Sequence, residues 1–308
     1  MKVLLIDVDS KIPNLALMKI ASWHRTQGDT VGWTVENPDK IYASIVFTKN
    51  CHKLDGLALM YPNAEIDIGG SGYDIKKKLP PWIEEIKPDY SIYPDNDFSL
   101  GYTTRGCIRD CYFCIVREKE GSLKKVAHPG FIHDPAFGKI MFLDNNIVAL
   151  NGGEWFLYVC EYCRDHNLLV DFSSGIDIRL MTPEIAAAIV KTKTFRPWKF
   201  AFDQTADQEA IVNGIKMLQI AGGHNFTHSS CLFYVYLHDD AAFDDAYHRC
   251  MILKENNASA YVMINPQNKR TQRMTDLKRY CMPQLFWSID YEDYKKKNRS
   301  KNASLYDF

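Results

Sequence analysis

The chain has no long apolar run, and nothing in it approaches the roughly 20 consecutive apolar residues of a membrane-spanning helix. Met1 to Val8 is apolar but short, with neither a longer hydrophobic stretch nor a small-residue cleavage site behind it. No targeting segment is therefore read, and a cytoplasmic, non-membrane protein is expected. Net charge is absent as well: 37 Lys and Arg face 38 Asp and Glu, leaving −1. Bulk composition thus gives no electrostatic footprint for nucleic acid or an anionic membrane. There is no internal repeat. The only biased tract is the end, Tyr294 to Phe308, which is rich in Lys, Asn and Ser, lacks a periodic apolar face and is expected to be frayed.

What is present is a chain of 308 residues, enough for one large domain or two ordinary ones, and nine cysteines. In a protein with no export signal cysteines stay reduced, which favours metal ligation, catalysis or burial over disulfides. Apolar patterning alternates between strand and helix. Lys2 to Asp7, Ile41 to Phe47, Ala64 to Ile68 and Tyr90 to Tyr93 read as strands, and Pro13 to Gln27 as a helix. Further on, strands are expected at Gly101 to Thr104, Ile140 to Leu143, Val170 to Ser174, Lys199 to Phe202, Cys231 to Tyr236 and Ala260 to Ile264. Helices are expected at Trp155 to His166, Pro183 to Lys191, Asp207 to Ile220 and Phe243 to Glu255. Such alternation implies an α/β fold with parallel sheets, whose chemistry lies at the carboxyl ends of the strands. The pattern divides into a Rossmann-like unit over 1–97, a partial (β/α)6 barrel over 98–290 and a polar basic tail over 291–308.

Cys107, Cys111 and Cys114 stand close together in Thr103-Thr104-Arg105-Gly106-Cys107-Ile108-Arg109-Asp110-Cys111-Tyr112-Phe113-Cys114. Thiolates are the soft ligands that iron–sulfur clusters and zinc select. A structural zinc site wants a fourth ligand, for which His128 and His133 are candidates, whereas a four-iron cluster on three thiolates leaves one iron open. At this spacing, and with these flanks, the segment resembles the radical S-adenosylmethionine (SAM) superfamily, in the branch that carries an N-terminal cobalamin-binding-like domain. The resemblance implies a [4Fe-4S] cluster on the three cysteines, SAM chelated at the open iron, and a one-electron reductant such as flavodoxin or ferredoxin. It implies an oxygen-sensitive enzyme that forms a 5'-deoxyadenosyl radical and modifies a substrate the sequence does not identify.

The same resemblance implies SAM contacts at the strand ends. Asp144, Asn145 and Asn146 stand where many family members carry a Gly-Gly-Glu-like motif that binds the SAM amino group; this chain departs from that motif but keeps acceptor side chains. Arg179 is expected to face the SAM carboxylate and Asp177 the ribose, unless the two form an ordinary ion pair. Gln204 and Asp203 after the fourth strand, and Asn265 after the sixth, are further candidates, and Phe113 is expected beside the adenine.

Cys160 and Cys163, three apart on one helix, read as buried structural cysteines. Methylthiotransferases are excluded by the single cysteine, Cys51, before the triplet and by the short remainder after the barrel. For the N-terminal unit the match rests on Ile12 to Leu17 and on Gly69-Gly70-Ser71-Gly72. The loop Asp7 to Lys11 has no histidine to ligate cobalt, so a degenerate domain without cobalamin is expected. The alternative function is a non-catalytic iron–sulfur or zinc module, associated with nucleic acid through Lys269, Arg270, Arg273, Lys278, Arg279 and Lys295 to Lys297. Those basic residues are offset by Asp290, Glu292 and Asp293, and nucleic acid is not indicated as a partner.

Overall fold

The structure, a computed structural model, describes residues 1–296. The chain opens with β1 (Lys2–Asp7), α1 (Leu15–Thr26), β2 (Thr30–Gly32), β3 (Lys40–Ser44), α2 (Leu57–Met60), β4 (Glu65–Gly69) and α3 (Pro81–Glu84). The four strands pair in parallel in the order β2-β1-β3-β4. Helix α1 starts at Asn14, whose side-chain oxygen accepts the Leu17 N–H at 3.2 Å, a cap worth about 1 kcal/mol. Its apolar positions Leu17, Met18, Ile20 and Ala21 are buried with Val3 and Leu5 of β1.

One expectation fails in this unit, and one strand was not expected. Tyr90 to Tyr93 is not a strand. Asp89 caps a 3-10 turn over Tyr90–Ile92, its carboxylate accepting the Ser91 N–H at 2.9 Å. Strand β2 had no forecast, because three residues are too few to show a period.

The second part contains β5 (Ser99–Gly101), β6 (Thr104–Arg105), α4 (Val116–Glu120), β7 (Lys124–Lys125), α5 (Pro129–Ile132), β8 (Lys139–Phe142), α6 (Glu154–Asp165), β9 (Leu169–Phe172) and α7 (Pro183–Lys191). After these come β10 (Trp198–Ala201), α8 (Gln208–Gly222), β11 (Cys231–Leu237), α9 (Phe243–Glu255), β12 (Ser259–Ile264), α10 (Gln272–Tyr280) and α11 (Pro283–Phe286). Strands β5-β8-β9 form one parallel sheet and β10-β11-β12 another. Single parallel bridges, Val170 to Thr194 and Ile176 to Phe200, join them. The architecture is α/β with parallel sheets. The expected strand at Gly101 to Thr104 is displaced: pairing with β8 ends at Gly101, and Thr104–Arg105 instead pairs antiparallel with Lys124–Lys125.

Alternation along the strands gives each sheet two faces. Ile140, Phe142, Val170, Phe172, Phe200, Phe233, Val235 and Val262 point into one core with helices α6 to α10. Burying each such side chain contributes about 1.5–3 kcal/mol. On the opposite face Leu100 pairs in register with Met141, and Met141 with Asp171. Leu100 and Met141 are buried against Val3, Leu5, Leu17 and Met18 of the first unit. The core of residues 1–97 therefore continues into the β5–β8 sheet.

The polar tail begins later than expected: residues 291–296 are helical, and Tyr291 and Tyr294 are buried against Tyr280. The reading of residues 297–308 as frayed falls outside the described residues. Among the described residues no helix is long and apolar enough to cross a membrane.

Candidate functional site

The three cysteines lie between β6 and α4, on a loop held by three consecutive side chains at the end of β8. Asp144 is buried and takes four hydrogen bonds: from the backbone N–H of Thr103 (3.0 Å) and Thr104 (2.5 Å), and from their hydroxyls (2.6 and 2.7 Å). Burial pushes its carboxyl above the ordinary aspartate range, against the pull of those donors. Asn145 accepts the Gly106 N–H at 3.1 Å. Asn146 donates its amide to the Cys107 sulfur at 3.4 Å and to Asp177 at 3.3 Å. Asp144, Asn145 and Asn146 thus brace Thr103–Thr104, Gly106 and Cys107 in turn. Both Asp144 oxygens are engaged by the loop, so this residue acts on the cysteines' backbone and offers no free oxygen.

Gly106 lets the loop turn. Its φ is +85°, and a Cβ there would stand 2.4 Å from the Ser122 carbonyl oxygen. Beyond it the Arg109 N–H donates to the Cys107 sulfur at 3.3 Å, and the Arg117 guanidinium donates to the Cys107 carbonyl at 2.9 Å.

A second set of charges comes from the segment after β9. The Asp177 side chain is 6% exposed and accepts from Arg109 (2.9 Å) and from Arg179 (Nε at 2.7 Å, Nη2 at 3.2 Å), while Arg179 also donates to Asp207 at 2.8 Å. Burial alone would raise the Asp177 carboxyl, but the Arg179 and Arg109 guanidinium groups hold it below the ordinary aspartate range. Arg179 and Asp177 therefore form an ion pair with each other, yet not at the surface: the pair ties Arg109 of the cysteine loop to the core.

Cys107 and Cys111 are half-buried and Cys114 is exposed. Burial raises the Cys111 and Cys114 thiols, and each is raised further by its cysteine neighbours, so the sulfurs lie within electrostatic reach of one another. Among the described residues no group of three or more His, Cys, Asp or Glu converges as a metal-ligating set, so holding a metal would draw the three thiols closer. The donor set fits an iron–sulfur cluster in kind: three soft sulfurs on one loop, one of them already accepting two N–H bonds. A second observation agrees. The side-chain oxygen of Asn146, whose amide reaches Cys107, is buried with no hydrogen-bond partner among the described residues, and such an orphan costs about 1–3 kcal/mol unless a ligand satisfies it.

No family model matches the chain, and no curated protein is measurably similar to it.

An aromatic group flanks the loop. Phe113 stacks on Tyr236 at 4.2 Å and 21°, and Tyr112 packs edge-on to Phe113 and 5.9 Å from His238. Tyr236 and His238 were not anticipated: Tyr236 belongs to the alternation of β11 and His238 follows the strand, and only the fold brings them against Tyr112 and Phe113 of the cysteine loop. Asp203 accepts the Tyr236 N–H at 3.0 Å, and Asn265 donates to His238 at 3.3 Å. Gln204 is exposed after β10 and forms no hydrogen bond with this group among the described residues.

The proposed fourth zinc ligands face elsewhere, His128 bonding Tyr158 and His133 bonding Tyr162 at 3.0 Å. Arg273 is held by Asp240, Lys295 by Glu292 and Lys296 by Asp293, which neutralises much of the basic C-terminal run.

The N-terminal unit reaches the loop through charge. Glu84 of α3 joins Lys19 of α1 (3.0 Å) to Arg105 of β6 (2.7 Å), Arg105 also pairs with Glu120 (3.1 Å), and Lys119 donates to Ser71 at 2.9 Å. In the loop after β1, the Asp9 carboxylate takes the Val46 and Phe47 N–H groups at 2.7 and 3.0 Å and the Asn50 amide at 2.7 Å.

Proposed function

We propose that this protein is a radical SAM enzyme: Cys107, Cys111 and Cys114 hold a [4Fe-4S] cluster, and the six parallel strands from β5 to β12 form the partial barrel around it. The observation that carries the reading is the cysteine loop at the end of the parallel strands, where three consecutive side chains brace Thr103–Thr104, Gly106 and Cys107 and leave Cys111 and Cys114 on the same loop. When bound, the cluster and SAM supply reductive cleavage of the sulfonium to a 5'-deoxyadenosyl radical. The chain's own residues position and shield. Asn145, Asn146 and Gly106 set the loop; the orphan Asn146 oxygen is suited to accept from the SAM ammonium; Asp177 holds Arg109 and Arg179 in place; Phe113 and Tyr236 offer a flat apolar wall for the adenine. A flavodoxin- or ferredoxin-like reductant would deliver the electron. Cobalamin is left out, because the loop after β1 carries no imidazole and its Asp9 is committed to the neighbouring loop.

The test is anaerobic reconstitution with iron and sulfide, followed by dithionite and SAM. A brown protein that releases 5'-deoxyadenosine, and a colourless Cys111→Ala variant that releases none, are expected. A zinc-loaded, colourless wild type without that product overturns the reading.

A further inference from the structure

Among the described residues, the inner face of the two parallel sheets is covered over one half only. Over β5 and β8 it is sealed by the N-terminal unit, with Leu100 and Met141 buried. Over β11 and β12 it is open: Tyr261 and Met263 are each 43% exposed, although Val262 and Ile264 between and after them are buried. Tyr234 of β11 pairs in register with Tyr261 of β12, and the two rings meet edge-on at 5.9 Å and 80°.

The charges around this notch are unequal. Asp171 is almost wholly buried and binds Lys199 and Arg196. Lys278 reaches from α10 to within 5.0 Å of the Tyr261 ring centre and forms no ion pair among the described residues. Lys199 and Arg196 share the single Asp171 carboxylate, and Lys278 stands apart from them at the Tyr261 ring. An aromatic pair with one exposed ring, Tyr261, and one half-buried ring, Tyr234, rimmed by surplus positive charge, complements a flat ring that carries an anion.

We propose that this open face is a binding site for a planar, ring-bearing anion, an aromatic carboxylate or a ring-bearing phosphate ester. The ring packs in the notch that the edge-on pair forms, against the exposed side of Tyr261, and the anionic group meets Lys278, with the Arg196–Lys199 pair adding positive charge on the Tyr234 side. Tyr236, two residues further along the same face of β11, stacks on Phe113 of the cysteine loop. Two residues along a strand span about 7 Å, so a molecule in the notch lies beside the candidate cluster site. As a binding site the notch stands independently; as the seat of the radical's substrate it rests on the proposed function.

Calorimetric titration of the full-length, iron-free protein tests it, with uridine 5'-monophosphate, 4-hydroxybenzoate, uridine and inorganic phosphate as probes. One of the two ring-bearing anions is expected to bind at least about tenfold more tightly than uridine or phosphate, the scale of one charge-assisted hydrogen bond. Whichever of the two binds identifies the anion. Lys278→Gln and Tyr261→Ala, both at solvent-accessible positions, are each expected to weaken it about tenfold while leaving the melting temperature unchanged. Failure of both ring-bearing anions to bind, equal binding of uridine or phosphate, or unchanged affinity in both variants overturns the proposal. Because no iron is present, binding without later 5'-deoxyadenosine formation would sink the proposed reaction and leave this site standing.

Discussion

Cys107, Cys111 and Cys114 share a side chain with Cys160, Cys163, Cys231, Cys250 and Cys281, and little else. The first three sit on a glycine-turned loop, open to solvent in part, with backbone and amide donors aimed at one sulfur. The other five are buried, and burial pushes the Cys160 and Cys231 thiols up to about 12. Cys160 and Cys163 even have the two-residue gap of a ligand pair, but α6 turns both into the apolar core. Spacing proposes a metal site; the surroundings of the sulfur decide whether a thiolate can form there.

The sharpest break between the two populations is iron. Cys111→Ala is expected to abolish reconstituted iron and sulfide altogether, whereas Cys160→Ala keeps both; equal iron in the two variants would erase the distinction. Alkylation comes next. At about 12 the Cys160 and Cys231 thiols are thiolate on the order of 10⁻⁴ at pH 8, and all five core sulfurs are shut away from solvent while the loop cysteines are accessible. Iodoacetamide is therefore expected to label Cys107, Cys111 and Cys114 in the iron-free folded protein and the five core cysteines only after denaturation, as read by peptide mass. A smaller effect separates two loop glycines. Gly106→Ala combines left-handed backbone with a 2.4 Å clash, while Gly121 has nothing within 4 Å of its Cβ position. Gly106→Ala is expected to cost about 3 kcal/mol and Gly121→Ala about 1 kcal/mol in urea melts. Asp144→Asn puts an amide donor among four donors and is expected to cost about 2 kcal/mol by the same measurement.

The mildest effect is acid sensitivity through Asp177. Its carboxyl is held below the ordinary value of 3.8, so its contribution to stability is fully present above that value and lost as pH falls through its depressed one. Asp177→Asn is therefore expected to flatten the fall in melting temperature below pH 4 and to leave the slope near pH 7 alone.

Much of the fold was legible because parallel α/β strands announce themselves as short apolar runs between helical periods; β8 to β12 fall within two residues of where the patterning puts them. Misreadings cluster where local chemistry outweighs periodicity. Asp89 turned an apolar Tyr90-Ser91-Ile92 into a 3-10 turn, and the first strand of the second part stopped at Gly101 because the chain leaves β8 there to pair with Lys124–Lys125. In the candidate site, Asp144 to Asn146 and Asp177 were marked by position at strand ends. Their partners were not, since Arg109, Thr103, Tyr236 and His238 lie dozens of residues from the groups they touch.

By itself the sequence determined the cysteine triplet and the strand–helix alternation, because both are local: a ligand spacing is counted along the chain, and burial imposes its period on neighbours. Only the tertiary structure decided that Asn145 and Asn146 brace the loop, that an Asn146 oxygen has no partner among the described residues beside Cys107, and that Tyr261 and Met263 of β12 face solvent while Leu100 and Met141 do not. Those are facts about which distant segments meet. Alternation assigns a residue to a face of its sheet, but not what, if anything, covers that face.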